Sequence, residues 1–323
     1  MKSCRPIVFV LSAVVALVLL MNLLTPAVYH VLPNDYARTR LILRVLDASS
    51  PDVVLLGNSR GMSGLDANRL EAALGLECLN CCSVSQTLAE SMLYLERLPE
   101  SVRVVVQCID EKEFTANALC LNEPAAVAFS MNGYRPEPLA RELLRPVDMK
   151  RLVEHPLLRN FHSRGALRSG VSKILIRCLD DDAPGKAMAD MKYPYIYPSE
   201  HSGTYDRDMQ LQRLYLPDST TVFNLPDVLG SYCAKLNSYL SSRNIRLVFV
   251  LMPNCPGLHW PAEAVTHWRR SVADLLGDAL RIDAFDALPE EGFYDPLHPN
   301  RTGGRLLSDF VGDALKKILD IQP

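Results

Sequence analysis

The sequence has no basic excess. Lys and Arg number 34 against 37 Asp and Glu, a formal net charge of −3. Nucleic-acid binders normally carry a clustered basic surplus, so no nucleic-acid partner is expected. Internal repeats and low-complexity tracts are lacking, which sets aside solenoid architectures. So are paired metal ligands. Cys78, Cys81 and Cys82 resemble half of a zinc site, but no second Cys or His pair at ligand spacing accompanies them, and a structural zinc takes four ligands. Neither a metal nor another cofactor is expected.

What is present is ordinary globular composition: 48% hydrophobic and 22% charged residues in a chain of 323. That is enough for one large domain or two small ones. The N-terminus departs from it. Lys2 and Arg5 precede an uncharged run over residues 6–34, with an apolar core at 7–24. A core of about 18 residues is close to the minimum for a spanning helix. Two leading cations and no small-residue cleavage site after the run predict a signal anchor over residues 1–24, N-terminus in the cytoplasm. The alternative is a cleaved signal peptide. Either arrangement puts the remainder outside the cytoplasm. Residues 25–50 read as a juxtamembrane linker with an amphipathic helix at 37–46, whose Arg38, Arg40 and Arg44 suit anionic headgroups. Eight of the nine cysteines, all but Cys4, would then meet oxidising surroundings, which permit disulfides whose pairing the spacing does not reveal.

From residue 51 the pattern alternates. Short β-branched runs predict strands at 52–57, 75–80 and 102–109, with helices at 66–74 and 87–98 between them. Such an alternation implies right-handed crossovers and a parallel sheet. Residues 111–224 break the rhythm. They hold helical pieces at 138–144 and 149–158, a basic stretch at 135–177, and tyrosines at 193, 195, 197 and 205 that could stack on sugar rings. The basic stretch is either a solvated insertion or a lid facing an anionic surface. The alternation resumes with a helix at 227–242, strands at 245–252 and 279–283, and helices at 261–276 and 302–319. The fold class expected is α/β: a three-layer αβα sandwich on a five-stranded parallel sheet, with an N-terminal transmembrane helix and a large insertion at 111–224.

Two short segments carry chemistry. Gly57-Asn58-Ser59-Arg60 follows the first strand, and Asp295-Pro296-Leu297-His298-Pro299-Asn300 precedes the last helix. Both fall at the carboxyl edge of the expected sheet, where ligands bind in open α/β folds. A serine hydroxyl becomes a nucleophile when a base takes its proton. Histidine suits that task, and a carboxylate on its other nitrogen fixes the tautomer. Ser59, His298 and Asp295 fit these roles, with Pro296 and Pro299 stiffening the loop. His201, His259 and His267 have no carboxylate at such spacing; His259, after the fourth strand, is the best competitor.

Gly57-Asn58-Ser59 resembles the Gly-Asp-Ser nucleophile block of SGNH/GDSL hydrolases, and Asp295-Pro296-Leu297-His298 resembles their final Asp-x-x-His block. The likeness covers residues 51–110 and 225–320 and extends to membrane-anchored bacterial members that act in cell-surface polysaccharide acylation. It implies a flavodoxin-like domain over 51–323. It also implies Ser59, His298 and Asp295 as the catalytic triad, and oxyanion or substrate contacts from the Ser59 backbone, Ser85, Asn58 and Arg60. The chain departs from the family in having Asn58 for aspartate, Ser85 or Cys82 near the second-block glycine, and no asparagine after the third strand. The activity implied is an extracytoplasmic serine esterase or O-acyltransferase on an acylated carbohydrate or lipid. The partners implied are the inner membrane, through the N-terminal helix, and envelope-complex subunits. The alternative is a non-catalytic SGNH-like scaffold or glycan-binding subunit.

Overall fold

The computed structural model describes residues 5–31, 37–111, 116–153, 197–217, 225 and 227–320. Tyr193, Tyr195, most of the basic stretch and the end of the helix expected at 149–158 lie outside them. The chain forms two compact units, Met1–Leu41 with Asn122–Ala187, and Ile42–Leu121 with Met188–Pro323.

The first unit contains α1 (Arg5–Val31), whose segment Ile7–Thr25 has a mean hydropathy of 2.9 and is 6% buried. This helix is apolar enough to cross a membrane. It runs past residue 24, where the sequence suggested the anchor would end, and continues through Pro26. Near its end Tyr29 is fully buried with Val127, Ala128 and Met131, and its hydroxyl accepts from Asn132 Nδ2 at 2.8 Å. After α2 (Ala37–Ala48), which bridges the two units in sequence, this unit resumes from Asn122, with three short helices among its described residues.

The second unit is α/β. Strands β1 (Val53–Leu56), β2 (Cys78–Asn80), β3 (Val104–Ile109), β4 (Arg246–Leu251) and β5 (Leu280–Asp283) form one parallel sheet in the order β2-β1-β3-β4-β5. That is the flavodoxin-type order. β1, β2 and β3 are buried along their whole length, as parallel strands covered on both faces require. In chain order the further helices among the described residues are α3 (Ser59–Gly64), α4 (Ala67–Leu74), α5 (Leu88–Leu95), then α6 (Glu123–Met131), α7 (Pro138–Leu143) and α8 (Pro146–Leu152) of the first unit, then α9 (Tyr205–Arg213), α10 (Asp227–Ser242), α11 (Ala262–Leu276) and α12 (Arg301–Leu319).

One face of the sheet packs on α4 and α12. Val53, Leu55, Val104, Val106, Val248 and Val250 meet Leu70, Leu74, Leu307, Val311 and Leu315 there. The alternate strand residues point to the other face, where Tyr232 of α10 donates to the Leu88 carbonyl at the start of α5. Every strand read from the sequence is present, each with ends shifted by up to three residues.

Two helices of the second unit, like α6 of the first, were not legible in the sequence. The short α3 carries glycines at 61 and 64, poor helix formers. It exists because Asn58 caps it, accepting from Arg60 N–H at 2.9 Å, and because those glycines allow close packing. A Cβ at Gly61 would stand 2.8 Å from Cys82 Sγ and 2.9 Å from Cys108 Sγ. α9 was hidden within the expected insertion, and its Tyr205 and Met209 belong to the core of the sheet's unit.

The start of α12 sets the position of the loop before it. Gly303 packs directly on the Gly292 backbone, and a Cβ there would collide with the Gly292 carbonyl. Asn300, fully buried, caps the helix by accepting from Gly303 N–H at 2.9 Å. Its Nδ2 donates to the carbonyls of Ser199 and Glu291, both at 2.7 Å, and of Phe293 at 3.2 Å. Gly303→Ala is expected to destabilise the protein by about 1–3 kcal/mol, the usual cost of overpacking a tight contact. Thermal or urea unfolding checks this, and an unchanged midpoint would show that the contact gives way freely.

Candidate active site

Gly57 ends β1 with a φ of +144°, which disfavours any side chain, and a Cβ there would stand 2.7 Å from Cys108 Cβ. The chain thereby turns sharply out of the sheet, and Ser59 becomes the first residue of α3 at the carboxyl edge. From the other end of the chain, residues 293–299 return to the same edge. Tyr294 N–H donates to the His298 carbonyl at 2.9 Å, closing the loop. Asp295 Oδ1 accepts from the N–H groups of Leu297 at 2.8 Å and His298 at 2.9 Å, a local turn built by the carboxylate itself.

The two arms meet. Ser59 Oγ lies 2.8 Å from His298 Nε2. His298 Nδ1 lies 3.0 and 2.9 Å from the two oxygens of Asp295. The three residues are therefore joined in the order serine, imidazole, carboxylate. Burial favours the neutral Asp295, but the hydrogen bond and charge of His298 and the two loop N–H groups outweigh it and hold the carboxyl below its ordinary range. The competing His259 is exposed, at the end of a short 3-10 turn with a φ of 59°. His201 is also exposed, and its Nδ1 lies 2.8 Å from the Phe293 carbonyl.

Asn58 and Arg60, expected at the substrate, are engaged elsewhere. Asn58 holds the Arg60 N–H with its oxygen and donates its Nδ2 to Asp110 at 2.8 Å. Arg60 has a side chain only 4% exposed; its Nε meets Asp110 at 3.2 Å, and its two terminal nitrogens meet Glu111 at 2.9 and 2.6 Å. A buried guanidinium fully matched by two carboxylates fixes the helix start and is not offered to a ligand. The same contact explains asparagine at 58: an aspartate there would face the Asp110 carboxylate.

Ser85 occupies the turn that follows β2, closed by Gln86 N–H donating to the Ser83 carbonyl at 3.2 Å. Its φ is +55°, the left-handed conformation a glycine adopts easily. The replacement of glycine by serine thus keeps the backbone form. The turn sits beside the nucleophile's strand because Ser83 N–H donates to the Gly57 carbonyl at 3.0 Å. Gln86, which the sequence reading passed over, locks the two together. Its Oε1 accepts from Gly57 N–H at 2.5 Å, and its Nε2 donates to the Cys81 carbonyl at 3.0 Å. Asn80, also passed over and fully buried, donates to the carbonyls of Gly61 and Leu65 at the end of α3. An amide among apolar residues was the available signal for Asn80; Gln86, between Ser85 and Thr87, had none.

Of the tyrosines considered for sugar stacking, Tyr205 is a core residue. It is 7% exposed, its ring stacks on His201 at 3.9 Å, and its hydroxyl meets Cys255 Sγ and Glu290 Oε1. Tyr197 stacks on Tyr294 at 4.5 Å and lies 5.4 Å from the His298 ring. Cys78, Cys81, Cys82, Cys108, Cys120, Cys233 and Cys255 are all free thiols, so no disulfide forms among the described residues. Most are buried in the sheet's core, and burial pushes the Cys233 thiol up to about 12. Among the described residues no cluster of three or more His, Cys, Asp or Glu suits a metal ion.

A carboxyl depressed on folding contributes stability above its unfolded pKa of about 3.9 and loses it as the pH falls through the folded value. The Tm difference between wild type and Asp295→Asn is therefore expected to be largest near neutrality and to shrink below about pH 4. A difference that grows on acidification would contradict this. Arg60→Ala leaves Asp110 buried without its cation and is expected to cost about 3–5 kcal/mol in urea unfolding; a loss under about 1 kcal/mol would place the cluster in solvent.

No family model matches the chain, and no curated protein does. Among solved structures, a proposed sugar-binding protein from Salmonella typhimurium LT2 is 13% identical over 94% of this chain and 99% of its own, with a TM-score of 0.17. At that score the likeness carries no argument about fold or function.

Proposed function

We propose that the protein is an extracytoplasmic serine esterase or O-acyltransferase, of SGNH/GDSL type, acting on an acylated carbohydrate or lipid. The observation that carries the proposal is the continuous contact from Ser59 through His298 to Asp295 across 239 residues of sequence. An imidazole within hydrogen-bond reach of a hydroxyl, with a carboxylate on its second nitrogen, is the arrangement that activates a serine. In this reading Ser59 Oγ attacks the ester carbonyl as His298 Nε2 takes the hydroxyl proton. The same proton passes to the departing alcohol, and an acyl-serine remains. Water, or a hydroxyl of a second substrate, then gives its proton to His298 and attacks the acyl carbon, which restores Ser59. Asp295 holds the imidazole tautomer and stabilises the imidazolium in both halves.

The oxyanion that forms needs donors in place beforehand. The Ser59 N–H is available by position, as the first residue of a helix, whose leading N–H groups have no intrahelical acceptor. The turn at Ser85 supports a second backbone donor. The membrane placement rests on α1 and on the cations at Lys2 and Arg5 ahead of its apolar segment, which favour a cytoplasmic N-terminus.

Full-length protein in detergent is expected to hydrolyse p-nitrophenyl acetate. Ser59→Ala and His298→Ala are each expected to lower kcat by about 10⁴-fold or more, and Asp295→Asn by about 10⁴-fold. Wild-type rates from both the serine and histidine variants would overturn the proposal and favour a binding subunit.

A further inference from the structure

Asn254 stands just past β4 on the same edge of the sheet as Ser59. It is 7% exposed, and its side-chain Oδ1 is enclosed with no hydrogen-bond donor among the described residues. Its backbone is fixed. The Asn254 N–H donates to the Phe285 carbonyl at 2.9 Å, and the next residue, Cys255, is buried with the Tyr205 hydroxyl 3.3 Å from its sulfur. The carboxamide therefore cannot find a partner by moving its loop. A buried polar atom without a partner weakens the fold, and an apolar side chain of similar size would not. Native proteins hold few such atoms.

The surroundings of Asn254 belong to the Ser59 and His298 arms. A Cβ built on Gly64, the last residue of α3, would stand 3.4 Å from Met252 Cε and 3.2 Å from Pro299 Cγ. The residue two before Asn254 and the residue after His298 thus meet at the end of the nucleophile's helix. On the other side, burial above all pushes the Cys255 thiol up, and the charges of Glu290 and Asp295 add to it. Asn254 is bracketed by side chains that reach both arms of the site.

Resting on the serine esterase or acyltransferase reading, we propose that the Asn254 carboxamide binds a hydroxyl of a sugar that forms the alcohol part of the ester. A carboxamide both accepts and donates, and rotation about χ2 exchanges its two ends. A sugar hydroxyl likewise does both. The sheet sets the distance. β4 lies two strands from β1, about 10 Å at the usual strand spacing. That is too far for a contact to the oxyanion at Ser59 and is spanned by one sugar ring attached to the acyl group.

Asn254→Leu removes both polar atoms and keeps the bulk. In full-length protein in detergent, kcat/KM for 6-O-acetylglucose is expected to fall about tenfold, through KM. The fall for p-nitrophenyl acetate, which has no sugar hydroxyl, is expected to be much smaller. Unliganded Asn254→Leu is expected to melt at or above the wild-type Tm, because an unsatisfied amide has gone. Equal losses on both esters, or a lower Tm without a selective loss, would overturn the proposal. Binding is read separately on Ser59→Ala, where 6-O-acetylglucose should raise Tm, and the added Asn254→Leu should abolish the rise. No rise in Ser59→Ala overturns the sugar contact. A rise that requires Asn254, from a protein whose wild type turns over neither ester, overturns the esterase reading alone.

Discussion

The Asn300 carboxamide joins four backbone groups that would otherwise be separate: the N–H of Gly303 and the carbonyls of Ser199, Glu291 and Phe293. It lies two residues after His298, at the point where the loop becomes a helix. The side chain itself is fully buried, where breaking a bond strands a polar group at the full desolvation cost. Gly303 lets the helix start press on Gly292, and Gly64 and Pro299 meet beneath the loop. The imidazole therefore reaches Ser59 from a frame that tolerates little displacement. A hydrogen bond between residues so far apart in sequence depends on this frame more than on the two side chains themselves.

A second frame holds the serine. Arg60, Asp110, Glu111 and Asn58 form a buried charged cluster at the root of α3. Such clusters add little net stability, because desolvation offsets their attraction, yet breaking one is costly. Their effect is positional. Asn58 links the α3 cap to the end of β3, and Gln86 links the Gly57 N–H to the turn after β2. The three strand ends β1, β2 and β3 are thus tied together around the first residues of α3.

The sheet was legible in the sequence because its strands are buried on both faces, so runs such as residues 53–56 and 104–109 are almost wholly apolar. The Asp295-x-x-His298 pair was legible because its geometry is local: one carboxylate caps its own turn and orients the histidine three residues on. The roles of Asn58 and Arg60 were not, since they depend on Asp110 and Glu111, about fifty residues away and marked by no periodicity. α3 was hidden by its glycines, whose purpose is tight packing against Cys82, Cys108 and Leu307. Tyr205, in a segment without pattern, suited either sugar stacking or ordinary packing, and it is core through a helix whose apolar residues are few.

The central claim is that His298 activates Ser59 as a nucleophile. Labelling of the full-length protein by a fluorophosphonate, followed by peptide mass analysis, tests it most directly, because the reagent reacts with activated serines irrespective of the natural substrate. The account predicts a single adduct on Ser59 that His298→Ala abolishes. No adduct on Ser59, or an adduct formed at the same rate without the histidine, would contradict it.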